Sequence, residues 1–155
     1  MLHNLRLSKG QTISMSVMQA QDTGFVHGTD VNPMLGDFET TLEQVRSECF
    51  QDRPSRRGAM FLFEDRHTCE RYAKAWHGER EAIVFECVPL QHIGPVHRGH
   101  LGWAPRVTRD NAKECARSYW AGLEASAPHD WEVIFHGTAY VPQWETLPSP
   151  SFFGG

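Results

Sequence analysis

RPSRRGAMFLFEDRHTCERYAKAW, residues 53–76, sets three arginines around Ser55, follows them with an apolar run, and then spaces its apolar residues as a helix does. "AMFLF" (59–63) is short, continuous and apolar, which predicts a buried strand. "DRHTCERYAKAW" (65–76) places Cys69, Tyr72, Ala73 and Trp76 on one helical face, with Asp65 as N-cap. A strand passing straight into a helix makes the chain a mixed one. The cationic turn before the strand has two readings. Basic residues flank apolar strands as gatekeepers against aggregation. Alternatively Arg53, Arg56 and Arg57, the Ser55 hydroxyl and nearby amides form an anion site.

The same mixture extends in both directions. "LHNLRL" (2–7) and "QTISMSV" (11–17) alternate as strands do, the second with Ile13, Met15 and Val17 on one face. "DTGFVHGTDVNPMLGD" (22–37) is rich in Gly, Asp, Asn and Pro and predicts a loop. "TTLEQVRSECF" (40–50) predicts a helix with Leu42, Val45 and Cys49 inward and Thr40 and Glu43 spaced as a capping box. "AIVFECVPL" (82–90) carries the strongest strand composition, with Pro89 marking its end. Residues 91–107, with His92, His97, His100, three glycines and two prolines, predict a long surface loop. "DNAKECARSYWAG" (110–122) is a helix with Ala112, Cys115, Ala116 and Tyr119 inward and Gly122 at its end. "WEVIFHGTAYV" (131–141) closes the fold as a long strand. One domain over 1–141 is expected, with a flexible tail over 142–155.

The composition of the 155 residues, 40 % hydrophobic with mixed charge, belongs to a globular chain able to bury a core. A net charge of -4 and a pI near 6.1 argue against a general nucleic-acid or membrane binder, which carries a basic excess. "MLHNLRLSKG" lacks the apolar centre of a signal peptide, and no stretch approaches the roughly 18 apolar residues of a membrane span. The expected location is cytoplasmic, or a target cell reached by a route without a cleavable signal. Cys49, Cys69, Cys87 and Cys115 form no CxxC pair and read as small core residues.

Several clusters can be weighed for chemistry. His92, His97 and His100 lack the HExxH spacing and a nearby acidic ligand, so no metal is expected. Ser55 has no GxSxG elbow around it, which disfavours a serine hydrolase. Tyr72, Trp76, Tyr119 and Trp120 follow helical spacing and read as core or groove-lining aromatics rather than a base-stacking platform. Glu132 stands out at the start of the last strand, where a carboxylate points into a cleft and not into a core.

The order of "LHNLRL" with its histidine, a polar helix, the "DRPSR" turn with "AMFLFEDRHTCERYA", the "CARSYWAG" helix and "WEVIFHGTAYV" resembles the ADP-ribosyltransferase superfamily. More closely, the chain resembles a bacterial domain family of unknown function held to share that fold, over residues 2–141. The resemblance implies an α+β fold of two small, roughly perpendicular antiparallel sheets with flanking helices, and NAD in the cleft between them. It implies that His3 or Arg6 holds the adenosine ribose, and that Phe61, Phe63 and Tyr72 form an aromatic wall for nicotinamide. Glu132 would grip the nicotinamide ribose, while Arg53, Ser55, Arg56 and Arg57 would hold the diphosphate, Arg56 foremost.

As the ribose–nicotinamide bond breaks, positive charge moves onto the sugar, and a fixed carboxylate stabilises it. The implied activity is NAD-dependent transfer of ADP-ribose to a macromolecule, protein rather than nucleic acid, by a bacterial or phage effector or toxin. No metal is needed. The alternative is a non-catalytic module that binds a nucleotide or a protein partner on the same fold. Two departures from the superfamily pattern bear on this. Phenylalanines replace the middle-strand tyrosine of many members, and Asp130 stands two residues before Glu132, where some members have Glu or Gln.

Overall fold

In the computed structural model, residues 2–6, 23–27, 35–77, 82–126 and 128–147 are described. Strand β6 (Trp131–Tyr140) organises a six-stranded antiparallel sheet whose other members are β1 (Leu2–Arg6), β2 (Phe25–His27), β3 (Met60–Phe63), β4 (Ala82–Glu86) and β5 (Val88–His100). Along one edge β6 pairs with β5 from Val88↔Tyr140 to His100↔Trp131. Its other edge is shared end to end by β3, from Met60↔Phe135 to Phe63↔Glu132, and by β2, from Phe25↔Tyr140 to His27↔Thr138. Beyond β3 lie β1 and then β4. Only Cys87 separates β4 from β5, so one extended run leaves the side of β1 and joins the side of β6.

The α+β class expected from the sequence is found. The expected division into two sheets is not, because β3 and β6 hydrogen-bond the strands into one. Alternation along β6 gives that sheet two apolar faces. Phe135 and Ala139 join Met60, Leu62, Phe85, Cys87, Val26 and Val141 on one, with Trp144 and Leu147 packed against them. Ile134 on the other meets helices α1 (Asp37–Cys49) and α3 (Ala112–Trp120) through Leu42, Val45, Cys115, Ala116 and Trp120. Helix α2 (Arg66–His77) adds Cys69 and Tyr72 against Phe63 and Leu101.

The local signals explain most of the elements. β3 is buried because every residue in it is apolar and it lies inside the sheet. Asp65 caps α2 as expected, its carboxylate accepting the Thr68 amide at 2.7 Å, and that bond lowers its pKa. Helix α3 stops at Gly122, whose φ of 72° suits the left-handed position. There the amides of Gly122 and Leu123 return to the carbonyls of Tyr119 and Ser118, both at 3.0 Å, in a Schellman motif. Trp120 is fully buried, and its indole nitrogen donates to the Leu42 carbonyl at 2.8 Å, tying α3 to α1.

Six expectations are corrected. The loop read over 22–37 contains β2 at Phe25–His27, a strand too short to show alternation. Helix α1 begins at Asp37 after Gly36, so Thr40 and Glu43 make no capping box, and Cys49 is exposed. Pro89 does not end its strand, and residues 91–107 are not a surface loop. β5 runs to His100, with irregularities between Pro89 and Gln91 and between Ile93 and Val96 that accommodate Pro89, Gly94 and Pro95. Finally, residues 142–147 of the expected tail turn back so that Trp144 and Leu147 pack on the core. The strand read over 11–17 lies outside the described residues, as do 148–155. Among the described residues no helix is long and apolar enough to cross a membrane.

His97 is 5 % exposed, and its Nε2 donates to the Tyr119 carbonyl at 3.0 Å. His100 is fully buried, with Nδ1 accepting the Gly102 amide at 3.1 Å. Burial lowers the His97 pKa from 6.5 to about 4. The unfolded chain therefore takes up this proton first, so the stability His97 contributes is present above pH 6.5 and is lost as pH falls toward 4. The expected loss is roughly 2–3 kcal/mol. Urea unfolding at both pH values should show it, and His97→Gln, which keeps a donor for the carbonyl, should flatten the dependence. An equal slope in that variant would reject the assignment.

Candidate functional site

The cationic turn enters the structure pinned on two sides. Ser55 Oγ donates to Glu43 of α1 at 2.9 Å and accepts the Arg57 amide at 3.1 Å. Arg46 donates to the Arg53 carbonyl at 3.1 Å, and Arg53 Nε reaches the Trp120 carbonyl at 3.4 Å. Held in this way, the turn sends Arg56 inward.

Arg56 is 5 % exposed and makes a polar cluster under the helices. Its Nε and Nη2 donate to the two carboxylate oxygens of Glu39 in α1 at 2.8 and 3.0 Å. Nη1 donates to Glu132 Oε1 and lies 2.7 Å from the Tyr119 hydroxyl, which itself donates to the same Oε1 at 2.5 Å. The guanidinium also sits 4.7 Å from the centre of the Phe61 ring. Glu132 has no exposed surface, and its second oxygen, Oε2, is buried with no hydrogen-bond partner among the described residues.

The charges are strongly coupled. Burial raises the Glu132 pKa against the opposing pull of Arg56 and Tyr119. Burial also works against the charge on Arg56, but Glu132, Tyr119 and Glu39 more than offset it and hold the guanidinium protonated. The Tyr119 phenol is pushed well above its usual pKa, first by burial.

Glu132 shares a sheet row with Phe63 and Gly99, its cross-strand partners. Phe63 is buried and stacks on Tyr72 with ring centres 5.5 Å apart. Asp130 is buried and paired with Arg71. The Tyr72 pKa is raised by burial and then by Asp130.

The structure therefore brings Glu132, Arg56, Phe61, Phe63 and Tyr72 together. Two expectations change. Glu132 lies in a core rather than in an open cleft, and Arg56 is bound by two internal carboxylates rather than presented to solvent. Ser55 belongs to the wall of the turn. The side chains of His3 and Arg6 lie outside what is described, but the β1 backbone is placed. Leu2 is in register with Phe63, and so falls in the Glu132 row, while His3 is in register with Leu62 in the next one.

Three participants escaped the sequence reading. In the sequence Tyr119 has the spacing of an inward core aromatic, and Glu39 looks like an ordinary acidic residue in a helix's first turn. Gly99 makes room for Tyr119, since a methyl group there would overlap the phenol ring. Gly99→Ala is expected to displace that ring and cost about 1–3 kcal/mol, measurable by chemical unfolding. A neutral result would mean that the ring does not lie against β5.

A family model for a protein of unknown function (DUF2441) matches residues 6–145. The chain therefore belongs to that family. No curated protein matches it.

Proposed function

We propose that this member of the DUF2441 family is an NAD-dependent ADP-ribosyltransferase acting on a macromolecular acceptor, with Glu132 as its reactive carboxylate. The observation that carries the reading is the state of that residue. One oxygen is held by two donors, and the other is buried without a partner among the described residues. Leaving such an acceptor unpaired costs about 1–3 kcal/mol, which a ligand hydroxyl would relieve. Strand order adds support, because β1, β3 and β6 are consecutive neighbours in the sheet. The first-strand candidates, Phe61, Phe63 and Glu132 thus come from adjoining strands. Leu2 is level with Glu132 through Phe63, so within β1 the position of Arg6, rather than that of His3, has the parity of the Glu132 row.

In the proposed reaction the bond from ribose C1′ to the nicotinamide nitrogen breaks, and nicotinamide leaves with the electron pair. A lone pair of the acceptor then forms the new bond to C1′, and the acceptor loses a proton. Glu132 Oε2 takes a ribose hydroxyl and faces the positive charge that develops on the sugar. The Phe63–Tyr72 stack supplies a flat apolar wall beside it. Arg56 is committed to Glu39 and Glu132, and Arg53 pairs with Asp52 and the Trp120 carbonyl, so among the turn's arginines the exposed Arg57 is the cation best placed to meet the diphosphate. Protein is favoured as acceptor over nucleic acid by the net charge of -4.

The full burial of Glu132 favours a second reading, a non-catalytic module that keeps the fold and uses the glutamate as a structural ion pair. Incubation with labelled NAD and a cell lysate separates the two. Transfer of label or release of nicotinamide supports the enzyme, and the absence of both supports the module.

A further inference from the structure

An arginine facing a carboxylate ordinarily covers both of its oxygens with the two arms of its fork. Arg56 does this to Glu39, through Nε and Nη2, and offers Glu132 only Nη1. Tyr119 donates to the oxygen that Nη1 already holds. Two donors therefore converge on Oε1, and Oε2 is left over in a buried place.

This division depends on supports outside Glu132. Glu39 sets the plane of the guanidinium by occupying its fork. The Tyr119 ring is held against His97, with centres 5.3 Å apart, against Trp120 at 5.0 Å, and over the bare Cα of Gly99. A guanidinium free to rotate would cover both oxygens of Glu132, and the carboxylate would have no acceptor to offer.

We infer that Arg56 and Tyr119 are positioning residues that immobilise Glu132 through Oε1 alone and reserve Oε2 for a ligand hydroxyl, with Glu39 fixing the orientation of Arg56. The inference rests on the reading of Glu132 as the reactive carboxylate. Among the described residues, the ionisable groups around that carboxylate are Glu39 from α1, Arg56 from the turn, Tyr119 from α3 and, packed on the Tyr119 ring, His97 from β5, with Tyr72 and Asp130 beyond Phe63.

The test is a double-mutant cycle on nicotinamide release from NAD, using the full chain, Tyr119→Phe, Glu132→Gln and the combined variant. Tyr119→Phe should lower kcat about 10- to 100-fold and leave KM for NAD within about 3-fold, because the lost bond acts through Glu132. The acid limb of its kcat profile should move to higher pH, since the phenol favours the ionised carboxylate. In the Glu132→Gln background the same change should alter kcat by less than about 3-fold. If Tyr119→Phe does not fold, Glu39→Ala replaces it in the cycle. Freed from Glu39, Arg56 should then cover Oε2 and lower kcat at unchanged KM.

The outcomes are distinct. Release by the wild type with non-additive losses and a shifted acid limb supports the inference. Release with additive losses and an unmoved acid limb overturns it and leaves the enzyme reading standing. No release by the wild type overturns both.

Discussion

Glu132→Gln should lower ADP-ribose transfer and nicotinamide release on the order of 100-fold or more, the cost of removing one electrostatic stabiliser from a transition state. The amide is nearly the size of the carboxylate, and its carbonyl oxygen can still accept from Arg56 and Tyr119 in place of Oε1. The fold should therefore survive, and NAD affinity should change by less than about 3-fold, because the negative charge matters chiefly as positive charge develops on the ribose. Steady-state kinetics alongside calorimetric titration of NAD provide the check. Turnover within a few-fold of wild type would remove Glu132 from the mechanism. A loss of binding equal to the loss of turnover would mean that the carboxylate acts in recognition rather than in chemistry.

Arg56→Ala should destabilise the protein by about 3–5 kcal/mol, the range for removing one partner from a buried ion pair. The reason is the company it keeps. Without the guanidinium, Glu132 would sit fully buried beside Glu39 with only the Tyr119 hydroxyl for support. The turn would also lose its link to α1 through Glu39 and its contact with the Phe61 ring. The sequence alone suggests the opposite, namely that this substitution weakens NAD binding and barely touches stability. Guanidinium unfolding decides between them. A loss below about 1 kcal/mol would show Arg56 to be a surface cation after all. Arg57→Ala serves as the contrast, since Arg57 is exposed and its loss should leave stability within about 0.5 kcal/mol.

Much of the fold was legible because its signals are local. The apolar run at 59–63, the Asp65 cap, the spacing of Cys115, Ala116 and Tyr119, and the long strand opening at Trp131 each need only a few neighbouring residues to be recognised. β5 was hidden for the complementary reason. Its proline and glycine residues are loop signals by composition, yet a full-length partner in β6 and local irregularities in the pairing absorb them. Likewise His97 and His100 look like surface histidines until packing gives each a backbone partner.

The sequence by itself determined that the chain mixes strands and helices, that an arginine turn precedes a buried strand, and that Glu132 heads the last strand. Periodicity, capping and charge placement act over a few residues, so they can be read without knowing the fold. Only the tertiary structure decided where those arginines and that glutamate face. Arg56 and Glu132 are separated along the chain and become partners because β3 and β6 pair, α1 brings Glu39 over the sheet, and α3 brings Tyr119 down onto Gly99. Once these charges are buried, the cost of leaving any of them unpaired fixes their arrangement. That cost depends on what lies across the core and not on the adjacent residues.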